Sequence, residues 1–494
     1  MNTSEPDPRR WKALAVTLTA GFMGLLDVSI VNTALPSIQR DLHASSGSIR
    51  WVVAGYMLTF GLVLVTGGRF GDALGRRKMF LLALAAFVIT SAMAGAAPNE
   101  TLLVLARLAQ GVASGMLTPQ NSGLIQDLFR GAERGRAFGM FGAVVGISTA
   151  VGPVLGGAIL AVFGNPDGWR WVFYVNIPIG LGAFLLALRL LPRTPKRRIR
   201  LRSEIDVVGI VLLGAAVFGI LLPVIQSEEA GLARFWWLFL VSVAAGVAFV
   251  QWERVLVRRG RSPLLDPRLF TETRGYGPGA AVGTLYFCGF AGIWLVFAMF
   301  FQQGLGYTPL QSGLSVTPFA LGSAVSAAIA GRLVPRFGRR LTVTGLTMVV
   351  LGMLAVALLA GLVPPPWAGI AFAAPLLFAG IGGGMVISPN TTLTLECVPT
   401  RMAGVAAGAL QTGQRIGSAT GTALLASIFG AVAGGSERSA LALTVALCCA
   451  AAITLAALVL AVLELRARRR RATLSERERA ARTSETSAAD IQRG

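Results

Sequence analysis

Fourteen windows of about 20 apolar residues run along this chain, the length a helix needs to cross a hydrocarbon core of roughly 30 Å. They centre near Gly21, Leu58, Ala86, Val112, Val144, Gly180, Gly214, Val243, Gly289, Leu321, Val350, Leu376, Gln411 and Leu455. The expected class is therefore an all-α integral membrane protein with fourteen transmembrane helices. The first window follows Arg9, Arg10 and Lys12 and has the look of a secretory signal. No small-residue cleavage site comes after it and thirteen more spans do, so it reads as a retained helix.

Charge orients the bundle. With the N-terminus placed in the cytoplasm, 36 of the 44 Lys and Arg residues fall in segments on that side and 5 in loops on the other. The rest, Arg107, Arg189 and Arg415, lie within or at the edge of spans. So uneven a split puts both termini in the cytoplasm. It also explains the net charge of +21, which in a soluble domain would suggest nucleic acid; here no nucleic-acid partner is expected. With 54% of residues apolar and 14% charged, the lipid bilayer is the medium this surface fits. Arg outnumbers Lys 41 to 3, as a GC-rich bacterial genome would give, so the expected location is the inner (plasma) membrane of such a cell. Cys288, Cys397, Cys448 and Cys449 lie in or beside apolar runs without metal-ligand spacing and read as small buried hydrophobes, with no metal and no disulfide framework. The lone His43 falls in an early outer loop and reads as solvated.

A glycine-rich charged loop, Gly68-Arg69-Phe70-Gly71-Asp72-Ala73-Leu74-Gly75-Arg76-Arg77-Lys78, separates the second and third windows. A weaker copy, Gly331-Arg332-Leu333-Val334-Pro335-Arg336-Phe337-Gly338-Arg339-Arg340, stands 263 residues further on. Both glycines, the Arg after the first and the Arg pair after the second recur. The glycines permit a tight turn, the basic residues hold it in the cytoplasm, and Asp72 is the one acid available for pairing. Such an offset suggests a duplicated bundle. The expected order is 6+2+6: a six-helix bundle over 1–192, an inserted helix pair with its loops over 193–262, and a second six-helix bundle over 263–465. A basic, disordered cytoplasmic tail over 466–494 follows, with a polybasic collar suited to anionic lipid. The inserted pair reads either as a spacer or as a lateral gate, and nothing polar marks it.

Within the first span, Asp27 is a carboxylate among apolar residues, in Leu26-Asp27-Val28-Ser29-Ile30-Val31-Asn32-Thr33-Ala34-Leu35-Pro36. An ionised Asp there costs several kcal/mol unless it faces a partner or water. Desolvation favours its protonated form, as a reversible proton carrier requires. The other reading is a buried Asp held permanently by neighbours such as Asn32. The fourth span opens Arg107-Leu108-Ala109-Gln110-Gly111-Val112-Ala113-Ser114-Gly115. Arg107 stays charged, and either attracts a carboxylate or an anionic substrate group or reaches out to the headgroups. In the fifth span, Gly139, Ser148, Gly152, Pro153, Gly156 and Gly157 make a small-residue face for close helix packing, with a proline to bend it.

Together these stretches resemble the major facilitator superfamily and, within it, the fourteen-helix drug:proton antiporters. Gly68 to Lys78 matches the family's motif A, Asp27 to Pro36 its first-helix motif, Arg107 to Gly115 motif B, and Gly139 to Gly157 the antiporter motif C, with Ser148 where the family has Gly. The resemblance runs from Trp11 to Leu465. It implies a monomeric carrier that exports small, mostly hydrophobic drugs or antibiotics in exchange for protons by alternating access, without a cofactor. Motif A would act as a conformational latch through Gly68, Arg69, Asp72, Gly75, Arg76 and Arg77. Asp72 would meet the start of a second-half helix, beside an Arg76–Asp127 pair. Pro335 replaces the acid in the second copy, so only the first latch should work. Arg107 would serve proton coupling with Asp27, and motif C would go with export. Glu396 near the inner mouth and Arg415 deeper on the thirteenth helix are secondary candidates. With Asp27 the only acid well inside a span, neutral, monocationic or anionic compounds fit better than dications.

Other classes fare worse. An ATP-driven pump would need a phosphate-binding Gly-Lys-Ser/Thr loop, and none occurs. A membrane enzyme would need a cluster of His or acids at one interface. An uptake permease for a small nutrient, on the same fold, remains the alternative, as does export of a lipid or siderophore.

Overall fold

The computed structural model describes residues 8–164, 167–192, 206–225, 227–433 and 438–491. Among these there is no β-strand. The helices are α1 (Arg10–Asp41), α2 (Ser46–Leu74), α3 (Arg76–Gly95), α4 (Glu100–Leu128), α5 (Gly131–Phe163), α6 (Asp167–Leu190), α7 (Val207–Ile225) and α8 (Ser227–Arg258), followed by α9 (Tyr276–Gly304), α10 (Pro309–Phe337), α11 (Arg339–Ala360), α12 (Pro365–Leu395), α13 (Thr400–Ala433) and α14 (Ser439–Ile491). Among the described residues, thirteen helical spans are long and apolar enough to cross a membrane. The exception is α5, a continuous 33-residue helix in which the apolar stretch Val154–Phe163 stands out.

These helices are apolar nearly all round. Leu82, Val154, Val162, Leu314 and Leu358 are each more than 60% exposed, a surface that water would not tolerate and that lipid covers without cost. Inside, each half has its own core. Phe80, Phe87 and Tyr56 anchor the first, and Phe297, Phe300 and Phe372 the second. The α7–α8 hairpin lies against α2 and α13, one helix from each half, where Val217 and Leu221 meet Leu58 and Ile416.

The two halves meet at the end of the bundle that carries Arg76, Arg134 and Arg339, called here the basic end. Two crossings join them there, α2 with α13 and α5 with α10. Both depend on glycine. A methyl on Gly404 would come within 2.7 Å of the Gly68 carbonyl oxygen, and one on Gly331 within 2.5 Å of the Gly135 oxygen and 2.6 Å of Gly139 Cα. Gly68 and Gly331 are the equivalent glycines of the two loop copies. The turns that follow also match: Gly75 at φ 98° and Gly338 at φ 52° occupy the left-handed region, open to glycine at little cost.

Several expectations need adjustment. Cys288 and Cys449 are half-buried, but Cys397 and Cys448 are exposed, because burial inside an apolar helix is one-sided in lipid; all four are free thiols. The backbone of α14 stays helical to Ile491, where a disordered tail is expected, and that stretch is rich in the helix formers Ala, Arg and Glu. The loop containing Pro195 and its basic cluster lies outside the described residues.

Bulk at the α5–α10 crossing should hold the basic end apart. Gly331→Val is expected to raise thiol labelling of a cysteine placed at Ala327, which the crossing buries, with the protein still in the membrane. Unchanged labelling would contradict the assigned contact.

Candidate functional site

Asp27 lies at mid-length of α1 with no exposed surface, and Arg107 on α4 is 1% exposed. Arg107 Nη1 donates to Asp27 Oδ2 at 2.5 Å, while Oδ1 accepts from Gln110 Nε2 and Asn176 Nδ2, both at 3.0 Å. Arg107 does not reach out to the headgroups. Its Nε donates to the Val52 carbonyl at 3.0 Å, its Nη1 also bonds Gln110 Oε1 at 2.8 Å, and its guanidinium lies 4.3 Å over the Tyr56 ring. Ser91 completes the cluster, accepting from Asn176 at 3.1 Å and donating to the Phe173 carbonyl at 2.9 Å.

This arrangement has a definite chemistry. The carboxylate has a cation and two neutral donors, enough to keep it in the bundle as a charge. A proton on Asp27 would cancel its attraction to Arg107, which keeps the Val52 carbonyl, Gln110 and the Tyr56 ring as partners. Asn32 takes no part: it faces outward and is exposed, and Gln110 and Asn176 do the work expected of it.

At the basic end, Asp72 Oδ1 accepts the Gly404 N–H at 3.0 Å and Oδ2 the Val405 N–H at 2.9 Å. These are among the first free N–H groups of the α13 helix, so the acid both pairs donors and opposes the helix dipole. Arg76 grips the same carboxylate through Nε at 3.2 Å and Nη2 at 2.8 Å, and donates to the Gly123 carbonyl at 2.8 Å. It also pairs with Asp127 and bonds the Thr400 carbonyl across the junction. Arg77 Nη2 bonds the Leu188 carbonyl at 2.5 Å, tying α3 to α6. Arg69 and Gly71 lie on the same turn, Gly71 where a side chain would collide with Gln120.

The second half has a matching cluster that the sequence reading missed. Arg339, the equivalent of Arg76, is buried and donates to Glu464 Oε2 at 2.6 Å and to Asn390 Oδ1 at 2.5 Å. Asn390 stands where Asp127 stands in the first half. Asn390 and Glu464 belong to the same half as Arg339, and Pro335 offers no acid to the start of α5.

The remaining candidates scatter. Ser148 is buried and donates to the Val145 carbonyl at 3.0 Å. Gly139 faces Gly331 across the junction, while Gly152 and Gly156 face Ser29 and Thr33 of α1; a methyl on Gly157 would meet nothing, so Gly157 takes no part in close packing. The side chain of Pro153, and the bend expected of it, lies outside the described residues. Glu396 is exposed at the basic end, where its carbonyl accepts from Arg134 at 3.5 Å. Arg415 is half-buried on α13 with its guanidinium 4.6 Å over the Phe60 ring.

An all-helical membrane bundle around a buried ion pair is the build of a transporter, not of an enzyme, and the relatives of the chain agree. The sequence profile of the Major Facilitator Superfamily matches residues 17–422 and again 280–489, and the chain belongs to that family. Among its relatives are drug exporters of bacteria. It is 34% identical over 428 residues to the probable actinorhodin transporter of Streptomyces coelicolor, covering 86% of this chain and 73% of that one. It is 38% identical over 429 residues to a puromycin resistance protein of Streptomyces alboniger, covering 86% and 82%. A tetracenomycin C resistance and export protein of Streptomyces glaucescens is 32% identical over 421 residues, covering 84% and 75%. Two solved structures share the fold: the human organic anion transporter MFSD10, at TM-score 0.68 and 16% identity over 92% of this chain and all of that one, and the proton:xylose symporter XylE, at 0.65 and 14% over 92% and 95%. The chain is a multi-pass bacterial membrane protein.

Losing the charge on Asp72 should open the basic end. Asp72→Asn removes charge-assisted bonds of about 1.5–3 kcal/mol, so the closed population is expected to fall at least about tenfold relative to the open one. Distance measurements between spin labels on α2 and α13 would register it. An unchanged distribution would rule out the latch.

Proposed function

We propose that this protein exports small, largely hydrophobic drugs, antibiotics or related metabolites in exchange for protons, by alternating access. The observation that carries the proposal is the Asp27–Arg107 pair: a carboxylate fully out of water and restrained by a cation whose attraction its protonation would cancel. The antibiotic exporters among its relatives supply the direction and the class of compound. The proposed carrier is a monomer without a cofactor, its fourteen helices cross the membrane with both termini and the basic end in the cytoplasm, and α7–α8 is inserted between two six-helix halves. The closed basic end makes the described conformer the outward-facing one.

Energetics fit. A proton entering down about 100 mV releases roughly 2.3 kcal/mol, enough for about a fiftyfold gradient of a neutral compound exchanged one for one. A monocation exchanged for a proton moves no net charge, so its export follows the pH gradient alone.

In everted vesicles energised by a pH gradient, the chain is expected to accumulate at least one of puromycin, tetracenomycin C or a panel of apolar dyes, and to lose it on addition of a protonophore. Accumulation indifferent to the protonophore, or uptake only in right-side-out vesicles, would overturn the proposal. Reporter fusions after Gln226 and after Arg261 are expected to give opposite signals, since one helix, α8, separates them. Equal signals would contradict the span count and the orientation together.

A further inference from the structure

The α7–α8 hairpin carries a polar site at its basic end. Asp206 immediately precedes α7 and is 9% exposed, and Glu253, near the end of α8, is fully buried. Asp206 accepts the Gly209 N–H at 3.0 Å, and the Trp252 indole N–H lies 3.0 Å from each of its oxygens. Glu253 Oε1 accepts the Leu264 N–H at 3.2 Å, with a further backbone bond from Leu265. A methyl on Gly209 would lie 2.2 Å from Asp206 Oδ2 and 2.8 Å from Glu253 Oε1, which puts these two carboxyl oxygens within about 5 Å of each other. Glu253 Oε2 is buried with no hydrogen-bond partner.

Two carboxylates cannot hydrogen-bond unless one of them carries a proton, because an ionised carboxylate only accepts. Among the described residues no Lys or Arg forms an ion pair with either. Among the described residues Arg254, Arg258 and Arg259, the cations nearest Glu253 in sequence, are exposed, and the half-buried Asp266 accepts the Arg268 N–H at 2.9 Å; Lys196, Arg197, Arg198, Arg200 and Arg202, which precede Asp206, lie outside the described residues. From α2 and α13 the neighbouring surface is apolar, with Val65, Val405 and Ala409 packed near Ile210 and Leu213. Two like charges this close and away from water, with no ion-paired cation among the described residues, favour keeping a proton on one of them.

We propose that Asp206 and Glu253 form a proton-binding site separate from Asp27, in which one shared proton holds the two ends of the hairpin together where Glu253 takes up the segment entering the second half at Leu264 and Leu265. Those two leucines lie in the cluster that contains Tyr276, whose hydroxyl donates to the Ala406 carbonyl of α13 at 2.7 Å. Losing the proton sets two negative charges face to face and drives the ends of the hairpin apart, while the backbone N–H groups bond the ionised Glu253 more strongly and the segment that reaches the latch helix moves with it. The site stands whatever compound the chain carries and in whichever direction.

Infrared difference spectra of the purified full chain in lipid, recorded from about pH 5 to about pH 9, would test it without any transport substrate. A protonated-carboxyl band that bleaches as the pH rises is expected in the wild type and in Asp27→Asn, and its loss in Glu253→Gln, which keeps the acceptor oxygen and an N–H for Asp206. Asp206→Asn is the second variant: with the neighbouring charge gone, the band should bleach at a proton concentration at least about tenfold higher. A wild-type spectrum identical to that of Glu253→Gln, or a band lost only with Asp27, would overturn the assignment, as would an Asp206→Asn band that does not move.

Discussion

A carboxylate with no exposed atom in the middle of a membrane helix has to be answered from within the bundle, and most of the first half is arranged to answer Asp27. Four helices contribute directly: α1 brings the acid, α4 brings Arg107 and Gln110, α6 brings Asn176, and α2 receives Arg107 on the Val52 carbonyl and the Tyr56 ring. Removing one partner of a buried pair leaves the other charged and alone, at a cost of about 3–5 kcal/mol. The cluster therefore fixes how four helices rotate against one another. It also makes the protonation of one atom a structural event.

The duplicated loop was put to two uses. In the first half Arg76 and Asp72 reach across the junction and fasten the start of α13. In the second, Arg339 turns inward onto Asn390 and Glu464 and braces its own half. The difference follows from single residues, Pro335 against Asp72 and Asn390 against Asp127, on a backbone whose glycine crossings are the same in both copies. One crossing thus carries charged contacts, whereas the other rests mainly on close glycine contact.

The sequence shows the helices, the repeated loop and the Asp72 contact well because each is local. Window length marks a span, the Gly75 and Gly338 turns recur in register, and Asp72 sits beside the glycines that bring it to its target. What the sequence hides is rotation. A helix that is apolar nearly all round gives no sign of which face is inside, so Asn176 could not be matched to Asp27, nor Glu464 to Arg339, across more than a hundred intervening residues. The same blindness makes Asn32, five residues from Asp27, look like its partner although it points the other way. Asp206 and Glu253 escape notice for another reason: each reads as an ordinary charge at a helix end until folding buries them together.

We propose that the transported proton is carried by Asp27, a reading that its burial and its pairing with Arg107 support. The direct test compares wild type with Asp27→Asn in everted vesicles, using a compound the wild type demonstrably carries and an imposed pH gradient. The account predicts that the variant lets the compound equilibrate downhill but never accumulates it. Uphill accumulation by Asp27→Asn at the wild-type level would contradict it.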